Sequence, residues 1–318
     1  MTRIITMLFP FYGRTMLSRT GGTLKTRIHG YFVLLLLFVL MTGCASICAL
    51  QPGSAPTFKG PYLIFEGSNT EMTVLWVDKF ETNILSWGTD KNNLTGKASV
   101  PEYGVKYGEE NGHQHKYKIT GLTPGTKYYY QVEGYDSGSG SFVTAPKADA
   151  TAVKLLAYGD TRSFPESHEK VAAGMRQAYK KDPAFQTIVL HSGDWVSSDS
   201  ESSWTSQWFD PKYQEIRKLQ AEVPIAGARG NHERNGKYFK KYYPYAADFY
   251  WSFDYGPAHI VILDNNRGAN YDPDSGQYKW LKNELDTTRK PWKIVVMHEP
   301  AWGASKWCLV LKSDRRFY

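Results

Sequence analysis

The chain has 318 residues, of which 42% are hydrophobic and 15% aromatic, enough to bury a sizeable core and to exclude wholesale disorder. At about 150 residues per domain it has room for a targeting segment and roughly two domains. The formal charge of +7 points to nucleic acid only at first sight: Arg3, Arg14, Arg19, Lys25 and Arg27 precede any acidic residue, and from position 44 onward 33 basic residues face 31 acidic ones, so no nucleic-acid partner is expected.

Residues 31–43 form a continuous apolar run behind those basic residues. It falls short of the roughly 20 residues of a membrane span and fits the apolar region of a secretory signal peptide. The run ends in Leu40-Met41-Thr42-Gly43-Cys44, which resembles a bacterial lipoprotein cleavage site. That implies export to the periplasm or cell surface, with membrane attachment through a lipidated Cys44. Ordinary cleavage and an uncleaved anchor are the alternatives, and Met16 is a second possible start. Cys44, Cys48 and Cys308 form neither a zinc spacing nor a disulfide framework. Residues 1–44 are read as leader and 45–58 as linker.

From position 61 the pattern changes to short strands broken by turn residues: 62–66, 72–77, 83–87, 116–119, 127–133 and 141–144. This spacing predicts an all-β sandwich over 59–147. Gly121-Leu122-Thr123-Pro124-Gly125-Thr126-Lys127-Tyr128 has the form of a tyrosine corner, and the region resembles a fibronectin type III-like domain. Tyr129, Tyr130 and Tyr135 are expected to pack, and His113 and His115 to lie in a solvated loop.

The segment 152–318 reads as an α/β domain. Its first apolar run, 153–158, ends at Gly159-Asp160-Thr161-Arg162. Ser163 and Glu166 have capping-box spacing, ahead of a helix with Val171, Met175, Ala178 and Tyr179 on one face. The second run, 186–191, ends at Ser192-Gly193-Asp194, and the third at Gly230-Asn231-His232-Glu233, where Gly230 is expected to let the backbone bend. A hairpin is predicted around Tyr255-Gly256-Pro257, then a helix carrying Tyr278, Leu281 and Leu285. The last run, 292–297, ends at His298-Glu299-Pro300.

In such folds ligands gather at the carboxyl ends of strands. Asp160, Asp194, Asn231 and His298 all sit there, an oxygen and nitrogen donor set suited to divalent or trivalent cations, with a carboxylate such as Asp194 able to bridge two. His168 is a further candidate ligand. His191 and His259 are expected to pack, Glu233 to orient His232, and Asp264 to serve a turn.

The succession Gly-Asp, Gly-Asp, Gly-Asn-His-Glu, His resembles the calcineurin-like metallophosphoesterase superfamily over about 61–305. With the preceding sandwich it is similar to the purple acid phosphatase-like branch, especially its bacterial exported members. The resemblance implies a β-sandwich flanked by helices and two metal ions, drawn from Fe, Zn or Mn. Asp160 would bind the first ion, Asp194 would bridge, and Asn231 and His298 would bind the second. His232 would contact the phosphoryl group and assist the leaving group, a metal-bound hydroxide would be the nucleophile, and a small phosphomonoester the substrate.

Three departures qualify this. Arg162 stands where the superfamily often has His, and reads as a phosphate clamp or a structural ion pair. Ser197 replaces the tyrosine that gives purple enzymes their colour. The closing Gly-His-x-His is missing, and 306–318 resembles nothing in the family. A domain lacking its C-terminal part is therefore expected, with impaired activity and an exposed sheet edge, His168 compensating in part. The rival readings are a non-catalytic surface lipoprotein with a degenerate phosphoesterase domain, and a phosphodiesterase or nucleotidase.

Overall fold

The computed structural model describes residues 3–6, 58–104, 106, 112–182, 185, 187–245, 248–266 and 272–300. The apolar leader run, Cys44 and the divergent tail fall outside these residues. Among the described residues no helix is long and apolar enough to cross a membrane.

The sandwich strands are β2 (Lys59–Ile64), β3 (Met72–Asp78), β4 (Thr82–Gly88), β5 (Gly96–Pro101), β6 (His113–Ile119), β7 (Lys127–Val132) and β8 (Ser139–Val143). In β7 the alternation is clean: Tyr128, Tyr130 and Val132 are buried while the residues between them are partly open, as a period of two requires. The Thr123 N–H donates to the Tyr128 hydroxyl at 3.1 Å, closing the turn at which the sequence placed a tyrosine corner. Two readings are corrected here. Strand β5 lacks an apolar run and is held by pairing along β4, a signal that local sequence does not carry. His113 and His115 lie in β6 rather than a solvated loop, because β6 pairs with β3 along its whole length and buries His115 against Trp76.

The following segment contains β9 (Lys154–Tyr158), α1 (Pro165–Lys180), β10 (Thr187–His191), α2 (Gln214–Glu222), β11 (Ile225–Gly227), α3 (Lys237–Tyr242), β12 (Trp251–Tyr255), β13 (Ala258–Ile262), α4 (Gly276–Thr287) and β14 (Trp292–Val296). A six-stranded sheet runs β6-β3-β2-β11-β10-β9, so the sandwich and the α/β segment share one sheet, joined where Ile64 pairs with Ile225. A four-stranded sheet runs β1 (Arg3–Thr6)-β14-β13-β12, with Arg3–Thr6 parallel to β14. The remaining sheet is β5-β4-β7-β8.

The first two sheets bury a common core in which Ile188, Leu190, Ala226 and Ala228 meet Ile260, Ile262, Ile294 and Val296. Helices cover their outer faces: α1 and α2 over Val189 and Ile225, and α4 over Val261 and Val295 through Leu281. This is the expected β-sandwich flanked by helices.

Helix α1 corrects two further readings. Phe164, not Ser163, is the N-cap, and no side chain caps it. Pro165 starts the helix with its φ already suited to it, while Ser163 is held in a left-handed conformation (φ 72°). The buried face is His168, Ala172, Arg176 and Tyr179, leaving Val171 46% exposed. Of the expected face, Val171 and Ala178 are exposed, Met175 packs in part against the core and Tyr179 is buried.

Candidate metal centre

Three parallel neighbours in one sheet, β9, β10 and β11, and β14 of the other sheet deliver Asp160, Asp194, Asn231 and His298 beyond their carboxyl ends. Asp160 (φ 52°) and Asp194 (φ 56°) both adopt the left-handed conformation, which Asp tolerates better than most residues. Backbone bonds hold the two turns together: Asp160 N–H donates to Gly193 O (3.0 Å) and Arg162 N–H to Asp194 O (3.2 Å). Gly230 was expected to permit a bend, but its backbone is extended (φ −94°). Its role is close approach, since a Cβ there would overlap the Asp194 backbone nitrogen and carboxylate.

One ligand atom each from Asp160, Asp194 and His298 lies within 4.8 Å of the others. His298 Nδ1 donates to Ser192 O at 3.0 Å, so in the neutral ring Nε2 carries the lone pair. That Nε2 stands 2.9 Å from Asn231 Oδ1 and 3.3 Å from Asp194 Oδ1. Three acceptors thus face one another, an arrangement that a cation among them relieves. Two carboxylates, an amide oxygen and an imidazole are hard and borderline donors, and they fit a divalent cation.

His232 borders the same carboxylate. Its N–H donates to Asp194 Oδ1 (2.9 Å), its Nδ1 donates to Ser197 O (2.7 Å), and its Nε2 lies 4.0 Å from Asp194 Oδ2. Arg162 Nε donates to that Oδ2 at 2.5 Å. The protein crowded around the Asp160 carboxyl thins its hydration and raises its pKa, although the residue keeps an exposed surface. The Asp194 carboxylate adds to this, while His298 and Arg162 pull the other way.

His168 is not brought to the cluster. It is buried in the core, stacked on Trp208 at 5.1 Å, with Nε2 bonded to the Tyr158 hydroxyl at 3.1 Å. Burial pushes its pKa down to about 3, so the ring is neutral, but as packing rather than as a ligand. Its helix turns the residue inward, which is why its proximity to Asp160 in sequence did not carry over into space.

Several residues position the donors. His191 is wholly buried and stacked on Trp195, as expected of a packed histidine; its Nδ1 also accepts the Gly193 N–H (3.1 Å) and its Nε2 meets Thr161 Oγ1 (3.2 Å), tying the two Asp turns. Glu233 was expected to orient His232, yet its carboxylate takes the N–H groups of Asp194, Trp195, Val196 and Gly230 at 2.7–3.2 Å. Burial, with Asp194 beside it, pushes its pKa up to about 8, while those donors act in the opposite sense.

The sequence reading missed the turn after β13. Asp264 is not a hairpin residue: it pairs with Arg229, and Asn266 Nδ2 donates to both Arg229 O (2.6 Å) and Asp264 Oδ1 (2.8 Å). Between them, Asn265 Oδ1 accepts the N–H groups of His298 and Glu299, each at 3.1 Å. The available signal was the one used elsewhere, polar residues ending an apolar strand.

The chain matches the family described as calcineurin-like phosphoesterase over residues 153–313, and the purple acid phosphatase N-terminal domain over 59–148. The first match runs past position 305, where the resemblance was expected to stop. Purple acid phosphatase 21 of Arabidopsis thaliana is 28% identical over 258 residues, covering 70% of this chain and 55% of its own. A purple acid phosphatase of Glycine max is 27% identical over 246 residues, covering 70% and 51%. The chain spans about half the length of these relatives. Among solved structures, purple acid phosphatase PPD1 from yellow lupin seeds superposes with a TM-score of 0.64 at 17% identity, covering 81% of this chain and 54% of that one. PhoD gives 0.55 at 14% identity, covering 76% and 62%. At these identities the two structures speak for the fold alone.

Proposed function

Because the chain belongs to the calcineurin-like phosphoesterase family, we propose that it is an exported, metal-dependent phosphatase acting on small phosphomonoesters. The observation that carries this reading is the meeting of Asp160, Asp194 and His298 within 4.8 Å from three separate strands. The relatives named purple acid phosphatases support phosphoester hydrolysis as the chemistry. Fe, Zn or Mn would be held by Asp160, Asp194, Asn231 and His298. Bound there, the metal would supply Lewis-acid polarisation of a phosphoryl oxygen and a nucleophilic water.

The chain's own residues do the rest. His232, oriented by its Nδ1 bond to Ser197 O, presents Nε2 toward the cluster, where the doubly protonated ring can pass its Nε2 proton to a departing alkoxide and be left neutral. The Arg162 guanidinium stands where it can receive a phosphoryl oxygen. Glu233 and Asn265 keep the ligand turns in register. The apolar run at 31–43 and Cys44 support export and a lipid anchor on the cell surface or in the periplasm.

Hydrolysis of p-nitrophenyl phosphate by the full chain, with Mn2+ added, tests the reading. Turnover that needs the cation and is lost on chelation is expected. A chain that neither binds the metal nor turns over would instead be a surface lipoprotein whose phosphoesterase domain no longer catalyses.

A further inference from the structure

Asp194 divides its two carboxylate oxygens between different neighbours. Oδ1 faces the donors, accepting the His232 N–H at 2.9 Å and standing 3.3 Å from His298 Nε2. Oδ2 accepts from Arg162 Nε at 2.5 Å. Each carboxylate oxygen has about two acceptor sites, so what a second cation needs is a free position, clear of other positive charge, beside the oxygen it would share. Here one end is taken up by a guanidinium, which never gives up its charge in a protein.

Arg162 is not a loose surface side chain. Its N–H bonds Asp194 O, and both its neighbours are pinned. Thr161 Oγ1 donates to Trp195 O at 3.0 Å, and Gln207 Oε1 accepts the N–H groups of Ser163 (3.4 Å) and Ser197 (2.8 Å). The guanidinium is therefore fixed in place before any ligand arrives. Its side chain is 27% exposed, and among the described residues its two Nη atoms have no partner. Among those residues, too, the carboxylate and imidazole groups able to share a cation are limited to Asp160, Asp194 and His298.

Resting on the metallophosphoesterase reading, we propose that this chain holds one divalent cation rather than two. The cation lies among Asp160, Asp194 Oδ1, Asn231 and His298, and the Arg162 guanidinium supplies the second positive charge and grips the phosphoryl group through its free Nη pair. The planar fork of a guanidinium matches two oxygens of a phosphate, which a lone ammonium does not. The phosphate would lie between a removable cation and a permanent one, so part of its binding would not depend on metal.

Calorimetric titration of the full chain with Mn2+, followed by inorganic phosphate, tests this. Wild type should bind one Mn2+ per chain. Arg162→Gln should still bind one, with phosphate affinity reduced at least about tenfold, the worth of charge-assisted hydrogen bonds. Arg162→Lys should recover only part of that loss, since it keeps charge without the fork. Thermal melts of both variants matching wild type exclude misfolding as the cause. Two Mn2+ per wild-type chain would overturn the inference while leaving the phosphoesterase reading standing, and so would unchanged phosphate affinity in Arg162→Gln. No Mn2+ at all would overturn both.

Discussion

Two histidine–carboxylate pairs in this chain differ in what surrounds them. In the sandwich, His115 Nε2 meets Asp78 Oδ1 at 3.1 Å with both side chains fully buried; at the strand ends, His298 Nε2 meets Asp194 Oδ1 at 3.3 Å. The first pair is closed. His115 Nδ1 faces Val100 O and Pro101 O and its Nε2 also faces Phe80 O, each at 3.1 Å, so every partner is an acceptor and both ring nitrogens donate. Asp78 in turn takes Trp76 Nε1 (2.9 Å), Asn83 Nδ2 (2.5 Å) and the Phe80 N–H (2.8 Å). No lone pair is left for a ligand.

The second pair is open. His298 Nδ1 is spoken for and each Asp194 oxygen accepts one hydrogen bond, from the His232 N–H and from Arg162 Nε, but His298 Nε2 confronts only acceptors, the oxygens of Asn231 and Asp194. Distance alone would rank the pairs alike. What separates structure from chemistry is whether the lone pairs are already used.

Breaking each pair should therefore give opposite results. Asp194→Ala should abolish Mn2+ binding in a calorimetric titration, while Asp78→Asn leaves it intact; equal loss in both would erase the distinction. On the stability side, His115→Ala leaves Asp78 buried without its main counter-charge, and should cost about 3–5 kcal/mol in urea unfolding. His298→Ala should cost less, because the buried Asp194 carboxylate keeps the Arg162 guanidinium as a counter-charge.

Removing the support of the open pair sharpens the contrast further. Asn265→Ala frees the His298 and Glu299 N–H groups, and should weaken Mn2+ binding about 10–100-fold, as losses around a metal ligand do. Its unfolding midpoint should hardly move, which a thermal melt would check.

The smallest effect is the pH dependence of the closed pair. Burial alone would lower the His115 pKa, but its bond to Asp78 and that carboxylate's charge more than offset this and raise it. Burial raises Asp78, and the bonds from His115, Asn83 and the Phe80 N–H outweigh it, leaving Asp78 lowered. The raised imidazole contributes stability that is complete below its unfolded pKa, about 6.5, and lost as pH climbs through its folded value. The lowered carboxylate contributes above about 3.9 and loses its share as pH falls through its folded value. The pair should thus be strongest between about pH 4 and 6.5, and melting temperature against pH should peak there in wild type and flatten in His115→Gln.

Much of the site was legible in the chain because each donor directly follows an apolar run, and a strand end puts such a residue at the sheet's carboxyl edge whatever the rest does. Asp160, Asp194, Asn231 and His298 were all found this way. The same rule applies to Asn265 and Asn266, which follow Asp264 beyond the end of the hairpin's second strand. His168 failed because its distance along the chain from Asp160 says nothing of which way a helix face turns. Gly230 was identified for the wrong reason, since a glycine needed for clearance looks the same in sequence as one needed for a turn. Strand β5 and the burial of His115 depended on cross-strand neighbours that no local window contains.

Alternation, turn residues and the polar ends of apolar runs are short-range properties, and they were enough to set the two-part architecture and the donor list. The division of Asp194 between an oxygen facing His298 and one facing Arg162 was not among them. It follows from contacts 32 and 67 residues apart, Arg162 with Asp194 and Asn231 with His298, which exist only once the strands are laid side by side. Side-chain identity set which atoms could donate or accept, and the packed sheet decided which of them were left free.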